Sequence, residues 1–204
     1  MEWKIVSIGA SGTIGKAVAG LLADRGHDVI PVSRNTRPGV DIDDPASIDA
    51  FYEAVGGVDA VVCAAGAAAL APLADLTEEQ VRLGIESKLL GQVTLVRKGF
   101  SALKPGGVFV LTGGMLAYSP WPGTAAVALV NAGLEGFARA AALDLDQGRR
   151  IVVVHPPLVA ETASAMGMDS APWPAAARVA DAYLAALEGE LTGQPVFVEG
   201  YGPP

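Results

Sequence analysis

A glycine-rich segment near the start of the sequence has the spacing of a phosphate-binding turn. Residues 9–15 read GASGTIG; a run of apolar residues precedes them and a helical pattern follows. A diphosphate at the amino-terminal end of a helix must approach backbone N–H groups closely, and side chains at the turn would block that approach. Glycines between a strand and a helix therefore indicate a dinucleotide-binding site. The alternative is a tight turn that holds no ligand.

The end of the second predicted strand carries the residues that distinguish one dinucleotide from another. The sequence there is Val32-Ser33-Arg34-Asn35, whereas sites specific for NAD usually carry a carboxylate that binds the ribose 2′-hydroxyl. A guanidinium instead attracts a 2′-phosphate through its charge and its fork of donors. We therefore expect NADP(H) as the cofactor, with Ser33 and Arg34 at the adenosine phosphate. The alternative is that Arg34 is a solvated surface side chain.

The composition excludes several classes of function. The formal net charge is −8, which argues against binding to nucleic acid or to an anionic membrane surface. Cys63 is the only cysteine, so no internal disulfide can form, and we expect a cytoplasmic protein. Cys63, His27 and His155 do not form the pattern of a metal site.

The elements that must position these residues alternate between short β-branched runs and longer helical patterns. This alternation predicts an α/β fold: a single-domain doubly wound parallel sheet (Rossmann fold) over residues 1–204, with about seven strands and helices on both faces. The predicted strands are residues 4–9, 28–33, 39–42, 58–64, 108–112, 151–155 and 195–199. The predicted helices are residues 13–25, 44–55, 77–103, 124–147 and 175–187, with a turn at residues 104–107.

Five segments resemble the short-chain dehydrogenase/reductase family. They are residues 9–15, residues 41–44, residues 64–66 after the fourth predicted strand, Pro156 after the sixth, and residues 191–200. The resemblance covers essentially the whole chain. It implies an NADP(H)-dependent oxidoreductase that acts on an unknown small carbonyl compound or alcohol.

The resemblance also implies where the cofactor would lie. The pyrophosphate would contact the glycine-rich turn, and the adenine would contact Asp41 and Ile42. The nicotinamide would lie beside residues 64–66, and its carboxamide would contact Thr162. The predicted cofactor-binding residues are Gly9, Ser11, Gly12, Thr13, Ile14, Gly15, Ser33, Arg34, Asp41, Ile42, Ala64, Ala65, Gly66, Asn131 and Thr162.

The family's usual catalytic residues are missing. The family supplies the proton for carbonyl reduction from a tyrosine, with a lysine four residues later on the same helix face. No Tyr-x-x-x-Lys occurs in this chain. Alignment on residues 132–139 puts Val127 at the tyrosine position, Asn131 at the lysine position and Gly114 at the serine position. Lys88 falls where the family commonly has an asparagine.

Three residues remain as catalytic candidates: Tyr118, Asn131 and Lys88. Tyr118 lies in a loop that would overhang the nicotinamide, and Asn131 could bind a ribose hydroxyl. Each has a structural alternative, since Tyr118 could be a loop-packing aromatic and Lys88 a structural or solvated side chain. Thr112, Thr124 and His155 would also lie near the site, and Trp121 and Trp173 could line a substrate cleft.

Three hypotheses about function remain open at this point. The chain could be an NADP-linked oxidoreductase with an unusual proton source. It could also be a catalytically silent nucleotide-binding member that acts as a sensor or partner subunit, since fold does not imply function. A non-redox enzyme could reuse the same cleft. As in the family, we expect a homodimer or homotetramer, with helices 77–103 and 124–147 packed against a second copy.

Overall fold

The computed structural model describes residues 2–203. Six parallel strands form one sheet in the order β2-β1-β3-β4-β5-β6, and helices cover both faces. The strands are β1 (Lys4–Ile8), β2 (Asp28–Val32), β3 (Val58–Cys63), β4 (Leu103–Thr112), β5 (Arg150–His155) and β6 (Pro195–Phe197). The predicted doubly wound α/β fold is therefore confirmed.

Within residues 2–203, seven α-helices connect and cover the strands. They are α1 (Thr13–Asp24), α2 (Pro45–Val55), α3 (Glu78–Leu83), α4 (Gly91–Gly99), α5 (Ala125–Ala141), α6 (Ala160–Ala165) and α7 (Ala176–Glu188). A π-helical segment, Gly84–Leu90, joins α3 to α4, and a short 3-10 helix, Met115–Ala117, follows β4. The sequence prediction missed α6 and the 3-10 helix.

The predicted strand at residues 39–42 does not form, so the sheet has six strands rather than seven. The segment folds back on its own loop, because the Val40 N–H donates to the Ser33 carbonyl at 3.1 Å. The Thr36 hydroxyl donates to the Ser33 and Pro38 carbonyls at 3.0 and 2.9 Å. These bonds use backbone groups that a seventh strand would need for pairing.

The predicted long helix over residues 77–103 is divided into α3, the π-helical segment and α4. Gly84 and Gly91 lie at the two ends of the wide π turns. A Cβ atom at Gly91 would lie 3.1 Å from the Ile42 side chain, so a larger residue there would push α4 and that loop slightly apart. The wide turns rotate Ser87 and Lys88 toward the sheet, and π-helical turns are often found at functional sites.

Strand β4 begins earlier than predicted, because the expected turn at residues 104–107 is a bulge within the strand. Leu103 pairs with Val58, and Val108 pairs with Ala60, so the register shifts between these two pairs. Gly106 has a positive φ of 75°, as such a bulge requires.

Side chains alternate between the two faces of the sheet and form two cores. On one face, strand residues such as Val61 and Phe109 pack against α2, α4 and α5. On the other, Val62 and Val110 pack against α1 and α7. The two cores fix the sheet, so that the carboxyl ends of the strands form a rigid edge on which a site can be built.

A buried glutamine holds the carboxyl ends of β3 and β4 apart. The backbone pairing of these strands ends at Val62 and Val110, although both strands continue. The Gln92 side chain, fully buried, accepts from the Thr112 N–H at 2.9 Å and donates to the Thr112 carbonyl at 3.1 Å. The Thr112 hydroxyl donates to the Cys63 carbonyl at 2.6 Å. Side chains therefore replace the last rung of the sheet and open a cleft between the strand ends.

We predict that Gln92→Leu lowers the free energy of unfolding, because it leaves the buried Thr112 N–H and carbonyl without partners, at a cost on the order of 1–3 kcal/mol for each group. Urea unfolding followed by circular dichroism measures the change. Arg97→Ala, on the exposed side of the same helix, is the matched control and should change stability by less than about 0.5 kcal/mol. Equal stability of Gln92→Leu and the wild type would contradict this role.

Candidate active site

The glycine-rich turn lies between β1 and α1, as predicted, and its glycines are required by close backbone contacts. Gly9 has a φ of 88°, and a side chain there would lie 2.8 Å from the Ala64 backbone. A side chain at Gly15 would lie 2.1 Å from the Gly9 carbonyl oxygen. Ser11, Gly12 and Thr13 are exposed, and neither a side-chain cap nor an acidic residue occupies the first turn of α1. The Gly9 and Ala10 N–H groups donate to the Val32 carbonyl, and the Gly12 N–H donates to the Gly9 carbonyl. The N–H groups that remain open to an anionic group are therefore the uncapped ones at the start of α1.

The larger of two neighbouring cavities has a volume of about 730 Å³ and lies beyond the carboxyl ends of β3, β4 and β5. It contains five of the predicted cofactor residues. They are Ile14, Ala64, Gly66, Asn131 and Thr162. Most of the other lining side chains are apolar or aromatic, which is typical of a site for a small organic ligand.

Val127 and Asn131 lie one turn apart on α5, and both line this cavity. The Asn131 amide donates to the Gly114 carbonyl at 3.4 Å, and a side chain at Gly114 would lie 2.7 Å from the Asn131 nitrogen. Asn131 therefore occupies the space that a serine at residue 114 would need. Its Oδ1 atom is buried and has no hydrogen-bond partner among the described residues. A buried polar atom without a partner is costly, so this oxygen is a candidate to accept a bond from a ligand hydroxyl.

Lys88 lies in the wall of the same cavity. Its ammonium group donates to the Gly113 carbonyl at 2.7 Å. Its stem passes directly over Gly66, where a side chain would lie 2.8 Å from the Lys88 Cα atom. Burial away from water lowers the pKa of Lys88 to about 8.

Tyr118, the third catalytic candidate, does not line the cavity. Its hydroxyl donates to the Glu135 carboxylate, and its ring packs edge-on against His155 and Phe197. Burial and the neighbouring Glu135 carboxylate raise the pKa of Tyr118 to about 12. The structure thus brings Lys88 and Asn131 together and leaves Tyr118 in a separate polar cluster.

His155 and Thr124 also lie outside the cavity lining. His155 is fully buried, its Nδ1 atom lies 3.2 Å from the Gly114 nitrogen, and burial lowers its pKa. A neutral His155 therefore accepts from the Gly114 N–H and fixes the backbone at the end of β4. The Thr124 hydroxyl donates to the Trp121 carbonyl at 2.7 Å and holds the loop before α5 in place.

Apolar side chains surround the mouth of the cavity. Trp121 and Trp173 lie with ring centroids 6.0 Å apart, and both line it. Leu70 and Met166, also in the lining, are 46% and 49% exposed. Large apolar side chains left exposed around a cavity indicate a surface that covers a bound ligand.

The second cavity, of about 610 Å³, lies beyond the end of β2. Its lining contains two arginines, Arg34 and Arg37, together with Asp41. Neither arginine forms an ion pair with another residue in the described range 2–203. The loop is held in shape by the Ser33 N–H, which donates to the Thr36 hydroxyl at 2.9 Å, and by the Asn35 N–H, which donates to the Ser33 hydroxyl at 3.2 Å. Two free guanidinium groups on a fixed loop are suited to a phosphate.

Eight of the predicted cofactor residues line neither cavity. Five belong to the glycine-rich turn (Gly9, Ser11, Gly12, Thr13 and Gly15), and the other three are Ser33, Ile42 and Ala65. Ser33 uses its hydroxyl within its own loop, Ile42 packs into the core, and Ala65 presents its carbonyl to the Gln92 amide. Their side chains shape the walls of the site without facing its interior.

Sequence reasoning missed Arg37 and Gln92. Arg37 follows Arg34 by three residues in a loop that contains Pro38 and Gly39, and this second basic side chain was the available signal. Gln92 carried no signal, because a single polar residue in a helical pattern gives no indication that it is buried.

Residues 2–203 contain no cluster of three potential metal ligands, and no helix among them is long and apolar enough to cross a membrane.

The sequence and the fold match those of known proteins. The family model described as Enoyl-(Acyl carrier protein) reductase matches residues 9–184. Carbonyl reductase family member 4 from Danio rerio is 28% identical, over 96% of this chain and 95% of that protein. The protein lin1944 from Listeria innocua is 38% identical, with a TM-score of 0.90, over 96% of this chain and 98% of that one.

A small-chain dehydrogenase solved in complex with NADPH is 27% identical over 98% of both chains, with a TM-score of 0.86. The matches extend over nearly the whole length of each chain, and the family model spans both the glycine-rich turn and the walls of the larger cavity. The chain therefore belongs to the short-chain dehydrogenase/reductase family of oxidoreductases.

Proposed function

We propose that this protein is an NADP(H)-dependent oxidoreductase that acts on small, largely apolar carbonyl compounds or the corresponding alcohols. The observation that carries the proposal is the order of three features along the edge of the sheet. The basic cavity follows β2, the glycine-rich turn follows β1, and the apolar cavity lies beyond β3, β4 and β5. This is the order in which the adenosine phosphate, the diphosphate and the nicotinamide are joined in NADP(H).

The residues present fit this cofactor. Arg34 and Arg37 would hold the 2′-phosphate, and N–H groups of the turn at residues 9–15 would hold the diphosphate. The Asn131 oxygen that has no partner would accept a bond from a ribose hydroxyl. When bound, the reduced cofactor supplies a hydride. The structural relative that contains NADPH supports the choice of cofactor.

The lining of the larger cavity supports an apolar substrate. Leu70, Trp121, Met166 and Trp173 surround its mouth, so burial of an aromatic or aliphatic group there is favourable. The relative named carbonyl reductase supports a carbonyl as the reacting group.

A second candidate function is a nucleotide-binding protein without catalytic activity. Val127 and Gly114 favour it, since neither the isopropyl group nor the glycine can donate a proton to a substrate. In that case the protein would bind NADPH in the same way and would transfer no hydride.

We also infer that two copies associate through α3–α5. Leu83, Leu90 and Leu129 lie on these helices and the π segment, and they are 44%, 48% and 52% exposed. Gly136 on α5 has open space around its α-carbon. An exposed apolar face with small residues permits close packing against the same face of a second copy.

Light scattering tests the association. We predict a dimer or tetramer at micromolar concentration, and a monomer for Leu129→Glu, because a carboxylate cannot be buried unpaired at such an interface. Leu129→Met keeps an apolar side chain and is the matched control, which should remain associated. A monomeric wild type would contradict the inference.

Calorimetry tests the cofactor. We predict that NADPH binds more tightly than NADH and that Arg34→Ala or Arg37→Ala lowers the affinity for NADPH by about ten- to a hundredfold, since hydrogen bonds to a charged group contribute about 1.5–3 kcal/mol each. The affinity for NADH, which has no 2′-phosphate, should stay unchanged in both variants.

Arg25→Ala is the matched control for the loss of one surface arginine, since Arg25 lies at the end of α1 outside both cavities. It should bind NADPH like the wild type. Equal affinities of the wild type for NADPH and NADH would overturn the choice of cofactor.

A further inference from the structure

Among the described residues that line the larger cavity, only Lys88 carries a formal charge. Its ammonium group has one protein partner, the Gly113 carbonyl at 2.7 Å, and it forms no ion pair with a described residue. An ammonium group has three protons to donate. It can therefore keep this bond and still donate to a second oxygen in the cavity.

The fold fixes the position of Lys88 from both sides. Its backbone lies in the π-helical segment, where the neighbouring Ser87 hydroxyl accepts from the Ala67 N–H at 3.1 Å. If residue 66 had a Cβ atom, that atom would lie within 2.9 Å of the Cα, Cβ and Cγ atoms of Lys88. Gly66 follows β3, at the strand end beside which the nicotinamide is expected. The glycine at this point lets the lysine cross the strand end and reach the reacting part of the cavity.

Two other hydroxyl hydrogens near the strand ends, those of Thr112 and Tyr118, are already used. The Thr112 hydroxyl bridges the Cys63 carbonyl and the Tyr183 hydroxyl, at 2.6 and 2.7 Å. Tyr118 is bonded to Glu135 outside the cavity. The Asn131 amide is not an acid, and the alkyl side chain of Val127 has no exchangeable proton.

We infer that Lys88 is the proton donor of this site, in place of the tyrosine that the family carries on α5. The inference rests on the proposed function. When bound, NADPH would supply a hydride to the carbonyl carbon, and the π electron pair of the C=O bond would move to oxygen. That oxygen takes a proton from the Lys88 Nζ atom. The products are the alcohol, NADP⁺ and a neutral Lys88 amine, which regains a proton from water.

The charge in the cavity supports this assignment. Before the reaction the ammonium group is positive and the dihydronicotinamide is neutral; afterwards the amine is neutral and the nicotinamide is positive. The apolar cavity thus holds one positive charge in both states, and the reaction does not add a second desolvated charge, which would be costly.

The acidity of Lys88 suits the role. Burial lowers the pKa of Lys88 to about 8, so the group is protonated near neutral pH and can still release a proton. The titratable groups that face it are Cys63 on β3 and His155 on β5. Burial raises the pKa of Cys63 to about 12 and lowers the pKa of His155, so both are neutral around pH 8. A pH-dependent change in this range therefore belongs to Lys88.

The first test is a binding measurement and needs no substrate. The positive nicotinamide of NADP⁺ is repelled by protonated Lys88, whereas the neutral ring of NADPH is not. From about pH 7 to pH 9.5, calorimetry should show the affinity for NADP⁺ rising by up to about tenfold, with the affinity for NADPH nearly constant. In Lys88→Met, which keeps the length of the side chain and removes the charge, both affinities should be independent of pH. The same rise in NADP⁺ affinity in Lys88→Met would overturn the inference.

The second test is activity with benzaldehyde and phenanthrenequinone as probes and NADPH as the reductant. The wild type should reduce at least one of them, with kcat falling as the pH rises through about 8, because only the protonated amine is a donor. The reverse oxidation of benzyl alcohol should increase over the same range. Lys88→Met should lose about a hundredfold or more in kcat while its affinity for NADPH is retained. Lys88→Arg keeps the positive charge but cannot release a proton, so it should not restore kcat.

Lys98→Met, a lysine on the surface of α4 that pairs with Asp49, is the matched control and should leave kcat unchanged. A kcat within threefold of the wild type in Lys88→Met or Lys88→Arg would overturn the inference, as would a loss of activity in Tyr118→Phe alone. A wild type that binds NADPH and reduces neither probe would overturn the inference and favour the silent nucleotide-binding protein. A wild type that binds no NADPH would overturn the proposed function itself.

Discussion

An ammonium group enclosed in an apolar cavity is the constraint on which the rest of the site depends. Such a group is stable only where a fixed oxygen accepts one of its protons, and here the Gly113 carbonyl does so at 2.7 Å. That carbonyl is itself held in place, because the Gly113 N–H donates to the Val154 carbonyl at 2.8 Å and His155 holds the next residue. The requirement for a fixed acceptor thus extends into β5, although β5 provides no side chain that reacts.

The cleft that contains this group is made by side chains rather than by a loop. Gln92 and Thr112 replace the last backbone rung between β3 and β4 and hold these strand ends apart. The Tyr183 hydroxyl, on α7 at the opposite face of the sheet, lies 2.7 Å from the hydroxyl of the same threonine and forms a hydrogen bond with it. Both helical layers therefore contribute to one opening, so the shape of the cleft does not depend on the residues at the family's usual catalytic positions.

The sequence predicted the fold and the place of the glycine-rich turn well, because these depend on local patterns. From the alternation of apolar runs, the first residue of five of the six strands was predicted to within one residue. The glycine spacing located the turn at residues 9–15. The two main errors have different causes. The loop at residues 33–40 closes on itself through short-range hydrogen bonds instead of forming a strand. The predicted helix 77–103 contains a π-helical segment between Gly84 and Gly91, and Gly91 packs against the distant Ile42.

The catalytic half of the site could not be predicted in the same way. The sequence alignment predicted Val127, Asn131 and Gly114 at the family's usual catalytic positions, but it did not indicate which other side chain reaches the cavity. Lys88 does so because Gly66, 22 residues earlier, leaves room for its stem, and Tyr118 does not because Glu135, 17 residues later, binds its hydroxyl. Both facts depend on three-dimensional neighbours that spacing along the chain does not reveal.

The role of Lys88 can be tested by a crystal structure of the protein with NADPH and benzyl alcohol, an alcohol that the reduced cofactor cannot oxidise. We expect the 2′-phosphate between Arg34 and Arg37, the dihydronicotinamide ring beside Gly66, and the alcohol oxygen within about 3.2 Å of the Lys88 Nζ atom. Lys88 is not the proton donor if the nicotinamide ring lies outside the larger cavity, or if the alcohol oxygen is bonded to another group and Lys88 is beyond its reach.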